Sequence, residues 1–94
     1  MNAPFHPDRL TLDRLERGVP ARVVGIGWDQ LGETEANRLR HFGFDEGAKV
    51  ELLHQGPFGR DPLAIRIGRM TVAIRRRHAL AVQVQIEAQE IEAR

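Results

Sequence analysis

Hydrophobic residues in the second half of the chain alternate with polar or small ones. Val50 and Leu52 alternate with Lys49 and Glu51 until Leu53 breaks the rhythm; Leu63, Ile65 and Ile67 alternate with Ala64 and Arg66. Met70, Val72 and Ile74 alternate with Thr71 and Ala73, and Val82, Val84 and Ile86 with Gln83 and Gln85. A period of two puts each apolar set on one face of an extended chain, so four half-buried strands are predicted. A fifth, earlier strand is predicted through Ala21, Val23 and Val24, with Ile26 after Gly25 and Pro20 at its entrance. Gly68-Arg69 is a two-residue hairpin turn of the type that takes glycine first.

The period changes only once. Ala36, Leu39 and Phe42 fall on one helical face, which predicts a helix of two to three turns over about Thr34 to Phe42. Thr34 is the expected N-cap, and Glu35 suits the positive end of the helix dipole. Gly43 is placed to close the helix in the left-handed conformation, with Phe44 packing back onto Leu39 in a Schellman end. Gly47 then follows Asp45-Glu46 and opens the next strand without a long linker. Such a short helix is not stable alone and must lean on the sheet.

Leu10, Leu12 and Leu15 fit either a short helical turn or an extended cover over the core. Gly27-Trp28-Asp29-Gln30-Leu31-Gly32 and Pro57-Phe58-Gly59-Arg60-Asp61-Pro62 read as loops, and Arg75-Arg76-Arg77-His78-Ala79 as a basic turn. Five short strands in 94 residues leave edges that pair with other chains unless the sheet closes on itself. The expected architecture is therefore mainly β, a small five-stranded barrel closed at least in part, with one short helix plugging an end. Its inward residues are Val23, Val50, Leu52, Leu63, Ile65, Ile67, Val72, Ile74, Val82 and Val84. Residues 1–9 are expected as a flexible lead, 10–86 as the domain and 87–94 as an acidic tail.

Composition narrows the function classes. The chain has no cysteine, which removes disulfides, thiolate metal sites and cysteine nucleophiles and fits a reducing compartment. It has no serine either, its threonines are isolated, and no phosphate-cradling glycine loop occurs, so no enzyme constellation is assembled. Prolines and early charges near the start lead us to expect no secretory signal, and the sequence shows no run of the about 18 apolar residues that a membrane span requires. A cytoplasmic, soluble protein is expected. Net charge is +1, but six arginines stand against one acid between Arg60 and Arg77, and three glutamates without a base lie between Glu87 and Glu92. With a single lysine, this asymmetry steers a partner rather than marking a nucleic-acid binder.

Arg38-Leu39, then Phe42-Gly43-Phe44, Gly47 and Val50 follow one another at spacings that resemble the FeoA family of small ferrous-iron transport proteins. The resemblance continues through Gly56 to Pro62, Ala73-Ile74-Arg75-Arg76, Ala79 and the Val82–Val84 strand, covering roughly residues 10 to 86. Phe44 departs from it, since the family usually has a smaller aliphatic there. The resemblance implies an SH3-like barrel and a non-enzymatic accessory role in bacterial ferrous iron uptake. The implied partner is the large membrane transporter that carries a cytosolic GTPase domain, the FeoB type, with the membrane reached only through it. Self-association is a further option.

On that reading the partner-binding candidates are Trp28, Leu31, Phe58, Arg75, Arg76 and Arg77. Each has a plainer alternative: Trp28 as loop packing, the Pro57–Pro62 segment as a stiff connector, and the arginines as a solvated turn. Arg75 also aligns with the family's arginine after the fourth strand, where bracing the turn is a structural alternative. The metal candidates are His54, Glu51 and His78, for a divalent transition metal such as Fe or Zn; none of the four histidines pairs at a ligand spacing, so an adventitious or an intermolecular ion is what His54 beside Glu51, or His78 beside the arginines, is expected to attract. Two alternatives stand beside the transport reading. One is a stand-alone regulatory module related to the C-terminal domain of metal-dependent repressors; the other is weak nucleic-acid binding through the arginines.

Overall fold

A computed structural model describes residues 9–87. The expected lead and acidic tail lie outside this range except for Arg9 and Glu87. Strands β1 (Arg9–Thr11), β2 (Ala21–Ile26), β3 (Lys49–Gln55), β4 (Leu63–Ile67), β5 (Met70–Ile74) and β6 (Val82–Ile86) form one antiparallel sheet in the order β1-β6-β2-β3-β4-β5. Helix α1 spans Glu33–Phe42 and helix α2 spans Arg76–Ala79, with single 3-10 turns at Leu12–Arg14 and Trp28–Gln30.

All five predicted strands are present, and the leucine-rich start adds a sixth. Leu10 pairs with Val84 and Thr11 with Gln83, so the segment read as helical turn or extended cover is both in succession: β1, then the 3-10 turn. Leu53, where alternation fails, marks the register shift between Leu52 and His54 in the β3–β4 ladder. A second shift lies between Val23 and Gly25 against β6. Extra residues of this kind bend a strand and sharpen its twist, which lets so small a sheet curl over one core.

The ten expected inward residues are all buried. Leu12, Leu15, Leu39 and Phe44 join them in the same cluster. Met70 does not: it is 45% exposed because it is the first residue of an edge strand, at the hairpin end of the β4–β5 ladder opposite Ile67. The basic turn is also more ordered than expected, since Arg76–Ala79 forms a helical turn whose Ala79 is buried.

Thr34 does not cap α1. The helix starts one residue earlier, at Glu33, with Gly32 at the N-cap and no side-chain cap; the Ala36 N–H donates to the Gly32 carbonyl at 2.8 Å. Glu33 and Glu35 in the first turn and Arg40 and His41 in the last complement the helix dipole. At the other end the Schellman reading holds. Gly43 has φ of 99°, its N–H donates to Arg40, and the Phe44 N–H donates to Leu39 at 3.0 Å. Phe44, 1% exposed, then enters the core beside Leu39. Gly47 has φ of 92° and donates to Val23 at 2.7 Å, while Val23 donates to Ala48, so the corner feeds directly into the β2–β3 pairing.

Two substitutions separate packing from backbone at this corner. Phe44→Ala is expected to lower stability by about 3–5 kcal/mol through the cavity it leaves. Gly43→Ala, where an added Cβ meets no atom within 4 Å, is expected to lose only about 1–2 kcal/mol, from the left-handed backbone alone. Urea unfolding of both variants is the check.

Candidate functional site

The 57–62 loop is held at its base and free at its tip. Gly56 donates to the Pro62 carbonyl at 2.8 Å, and a side chain at Gly56 would run into the Asp61 carbonyl. Gly59 and Arg60 are both left-handed, with φ of 69° and 63°, and the Asp61-Pro62 peptide is cis. At the apex Phe58 is 84% exposed. Connector and projecting edge are thus two parts of one loop.

Asp61 ties that loop to α2: its Oδ1 accepts from the Arg76 backbone N–H at 2.9 Å, satisfying one of the free donors of a helix start. From the same short helix, His78 Nδ1 lies 3.2 Å from Glu35 Oε2 on α1, close but not aligned as a hydrogen bond. Arg38 lies 3.4 Å from the same carboxylate and donates to the Ala73 carbonyl of β5 at 3.3 Å. So α2 is the junction where the loop, the first turn of α1 and the end of β5 meet.

The arginine candidates stand at that junction, whereas Trp28 lies at the other end of α1, beside Arg40 and Gly43. Arg75 and Arg77 are exposed. Arg76 is engaged: its guanidinium Nη2 lies 3.6 Å from Oδ2 of Asp13, a carboxylate only 5% exposed in the turn after β1. Trp28 and Leu31 precede α1, half-buried against the core. The Arg40 guanidinium sits 4.2 Å from the Trp28 ring centroid, a cation–π contact that fixes the indole while leaving part of it accessible. Loop packing and partial exposure therefore coexist at Trp28.

Glu51, His54 and His78 are not gathered into one ligand set. Among the described residues no group of three or more histidine, cysteine, aspartate or glutamate side chains is placed to hold a metal ion. His54 is exposed at the end of β3, whereas His78 faces Glu35.

Two features escaped the sequence. Leu80, directly after α2, is 53% exposed and adds an apolar residue to this rim. Asp13 is buried, although a single aspartate between leucine and arginine carries no signal of it; only the contact with Arg76, 63 residues away, reveals its role.

The FeoA domain family model matches residues 10–86. This chain belongs to the FeoA family. A comparison with curated proteins returns no match. Among solved structures, FeoA of Stenotrophomonas maltophilia, described as a procaryotic SH3 domain protein complexed with zinc, is 32% identical with a TM-score of 0.69, covering 81% of this chain and 89% of that one. Iron(II) transport protein A of Clostridium thermocellum is 28% identical with a TM-score of 0.72, covering 82% of this chain; the match spans only 45% of that longer chain. A manganese-dependent transcriptional repressor shares the fold, with a TM-score of 0.74 at 18% identity over 44% of its length. The FeoA domain described here is accordingly an SH3-like fold, to which β1 adds a strand beyond the five expected. No helix among its described residues is long and apolar enough to cross a membrane.

Proposed function

We propose that this FeoA domain is a non-enzymatic, cytoplasmic accessory of bacterial ferrous iron uptake that docks on the GTPase-containing membrane transporter of the FeoB type and regulates it. The observation that carries this reading is the family match over residues 10–86. The surface around α2 supports it physically. Phe58 holds its ring in water, where burial against a partner gains free energy, and the exposed Arg75 and Arg77 flank Arg76, to which the same loop is tied through Asp61, and offer charge to an acidic surface. Trp28 and Leu31 supply a second, pre-packed apolar contact, and Arg76 sets the height of the turn through Asp13 rather than reaching outward. Nucleic acid has no part in this reading.

The direct test is capture of the transporter's cytosolic or membrane portion by the intact chain. Phe58→Ala is expected to weaken that binding about tenfold or more while leaving stability within about 0.5 kcal/mol. Capture of neither portion, together with normal iron uptake in a strain lacking this chain, overturns the proposal.

The zinc complex of the Stenotrophomonas relative raises a second reading, a metal-linked role. The described residues do not fit a complete intramolecular site. We therefore place any Fe or Zn at His54, with Glu51, or at His78 between molecules, which makes metal binding and self-association one process. A zinc titration followed residue by residue is expected to shift one histidine and to produce dimers as it does so; a tight one-to-one complex on the monomer contradicts this.

A further inference from the structure

Of the two sheet edges, only β5 is bare. β1 is three residues long and carries Arg9, whereas β5 reads Met70-Thr71-Val72-Ala73-Ile74, with neither charge nor proline. Native edge strands usually carry a charge, a proline or a bulge against pairing with other chains. The Ile67–Met70 pair closes the hairpin, so Met70, Val72 and Ile74 direct their backbone groups to β4, while Thr71 and Ala73 direct theirs outward. The Gly68 N–H donates to Lys49 on β3, which agrees with that alternation. Thr71 and Ala73 are exposed, and among the described residues only the Ala73 carbonyl is engaged, by Arg38 at 3.3 Å. A carbonyl has a second lone pair, so two donors and two acceptors remain open along this edge.

Side chains at the edge define what fits it. Met70, 45% exposed, offers an apolar contact. Arg69 precedes it in the turn and Arg38 reaches Ala73, and both are exposed. A second β5 laid antiparallel about Val72 would set Arg69 against Arg75, and like charges directly opposite disfavour that pairing. The complement is an extended segment with an apolar residue between two acids. This chain carries one just beyond the described range, Glu90-Ile91-Glu92.

We propose that residues 88–92 of a second copy of this chain add an antiparallel strand to β5. With Ile91 opposite Met70, Glu90 falls opposite Thr71, Ala88 opposite Ala73 and Glu92 opposite Arg69. Thr71 and Glu90 exchange two backbone hydrogen bonds, as do Ala73 and Ala88. Ile91 covers Met70, and Glu92 meets Arg69. The segment comes from a second copy because Glu87 is held at β2, by its N–H on the Pro20 carbonyl and its carboxylate on Arg22. β5 lies three strand spacings from β2, whether through β3 and β4 or through β6 and β1, about 14 Å along the sheet. Glu90 is only three residues beyond Glu87, a reach of about 10 Å. Reciprocal exchange of the segments closes a two-fold dimer. The β5 edge uses none of the α2 rim residues, so this inference goes beyond the transport reading and does not depend on it.

The test is sedimentation and amide exchange of the full chain in metal-free buffer with a chelator, which keeps this association apart from any metal-linked one. A contact this small is expected to give a dissociation constant on the order of 0.1 mM. Exchange at Thr71 and Ala73 is expected to slow as the protein concentration rises. Arg69→Glu and Glu92→Arg are each expected to weaken dimerisation several-fold, and the two together to restore it. Thr71→Pro removes an outward N–H that makes no ladder bond, and is expected to abolish the dimer; should it unfold the chain, the charge exchange still decides. A full chain that stays monomeric at about 1 mM, or a double variant that dimerises no better than the single ones, overturns the proposal. So does slow exchange at Thr71 and Ala73 that is independent of concentration, which puts the segment on its own chain's edge.

Discussion

A sheet of six short strands has two edges, and what happens at those edges governs the rest of this molecule. β1 and β5 end the strand order, yet each leads straight into a tight turn, Leu12–Arg14 after β1 and α2 after β5, and these two turns pack on each other. The seam is closed by side chains instead of a backbone ladder. Asp13 and Arg76 meet across it, while Leu12, Leu15 and Ala79 bury the apolar part. A pair so placed contributes little net stability, because desolvating a carboxylate offsets most of its attraction to a guanidinium. Its effect is to fix where α2 stands, and with it the segments that α2 touches.

From that position the surface follows. Asp61 receives the Arg76 N–H and so orients the 57–62 loop, and Glu35 lies against His78 and Arg38 and so aligns α1 with β5. The two faces of α2 diverge in consequence. Arg76 turns into the seam, where an arginine-lined cavity lies, while Arg75, Arg77 and the neighbouring Leu80 remain outside with Phe58. One four-residue turn can both close the seam and present exposed side chains because successive side chains on a helix point in different directions.

The sequence made the strands legible because alternation is a local signal: each of the ten residues assigned to the core from period alone is buried. The corner after α1 was legible for a similar reason, since Gly43 and Phe44 act through bonds to Arg40 and Leu39 only a few residues away. What stayed hidden depends on distant partners. β1 is three residues long and is a strand only because β6 lies beside it, more than 70 residues on. α2 is one turn, too short to show a helical period, and Thr34 looked like a cap because the chain's entry from Gly32 cannot be read from residue type. The outward candidates Trp28, Leu31, Phe58, Arg75 and Arg77 were visible as residue types, but Asp13 and Leu80 became candidates only once neighbours were known.

The central claim is that the α2 rim, and not another face of the sheet, meets the transporter. Amide hydrogen exchange of the intact chain, with and without the transporter's cytosolic portion, tests it most directly. Slower exchange confined to residues 57–61, 75–80 and the Trp28–Leu31 turn, with β2, β3 and β6 unchanged, is the predicted result. Protection centred on β2 and β3, or a bound complex that leaves the α2 rim exchanging as it does when free, would contradict the account.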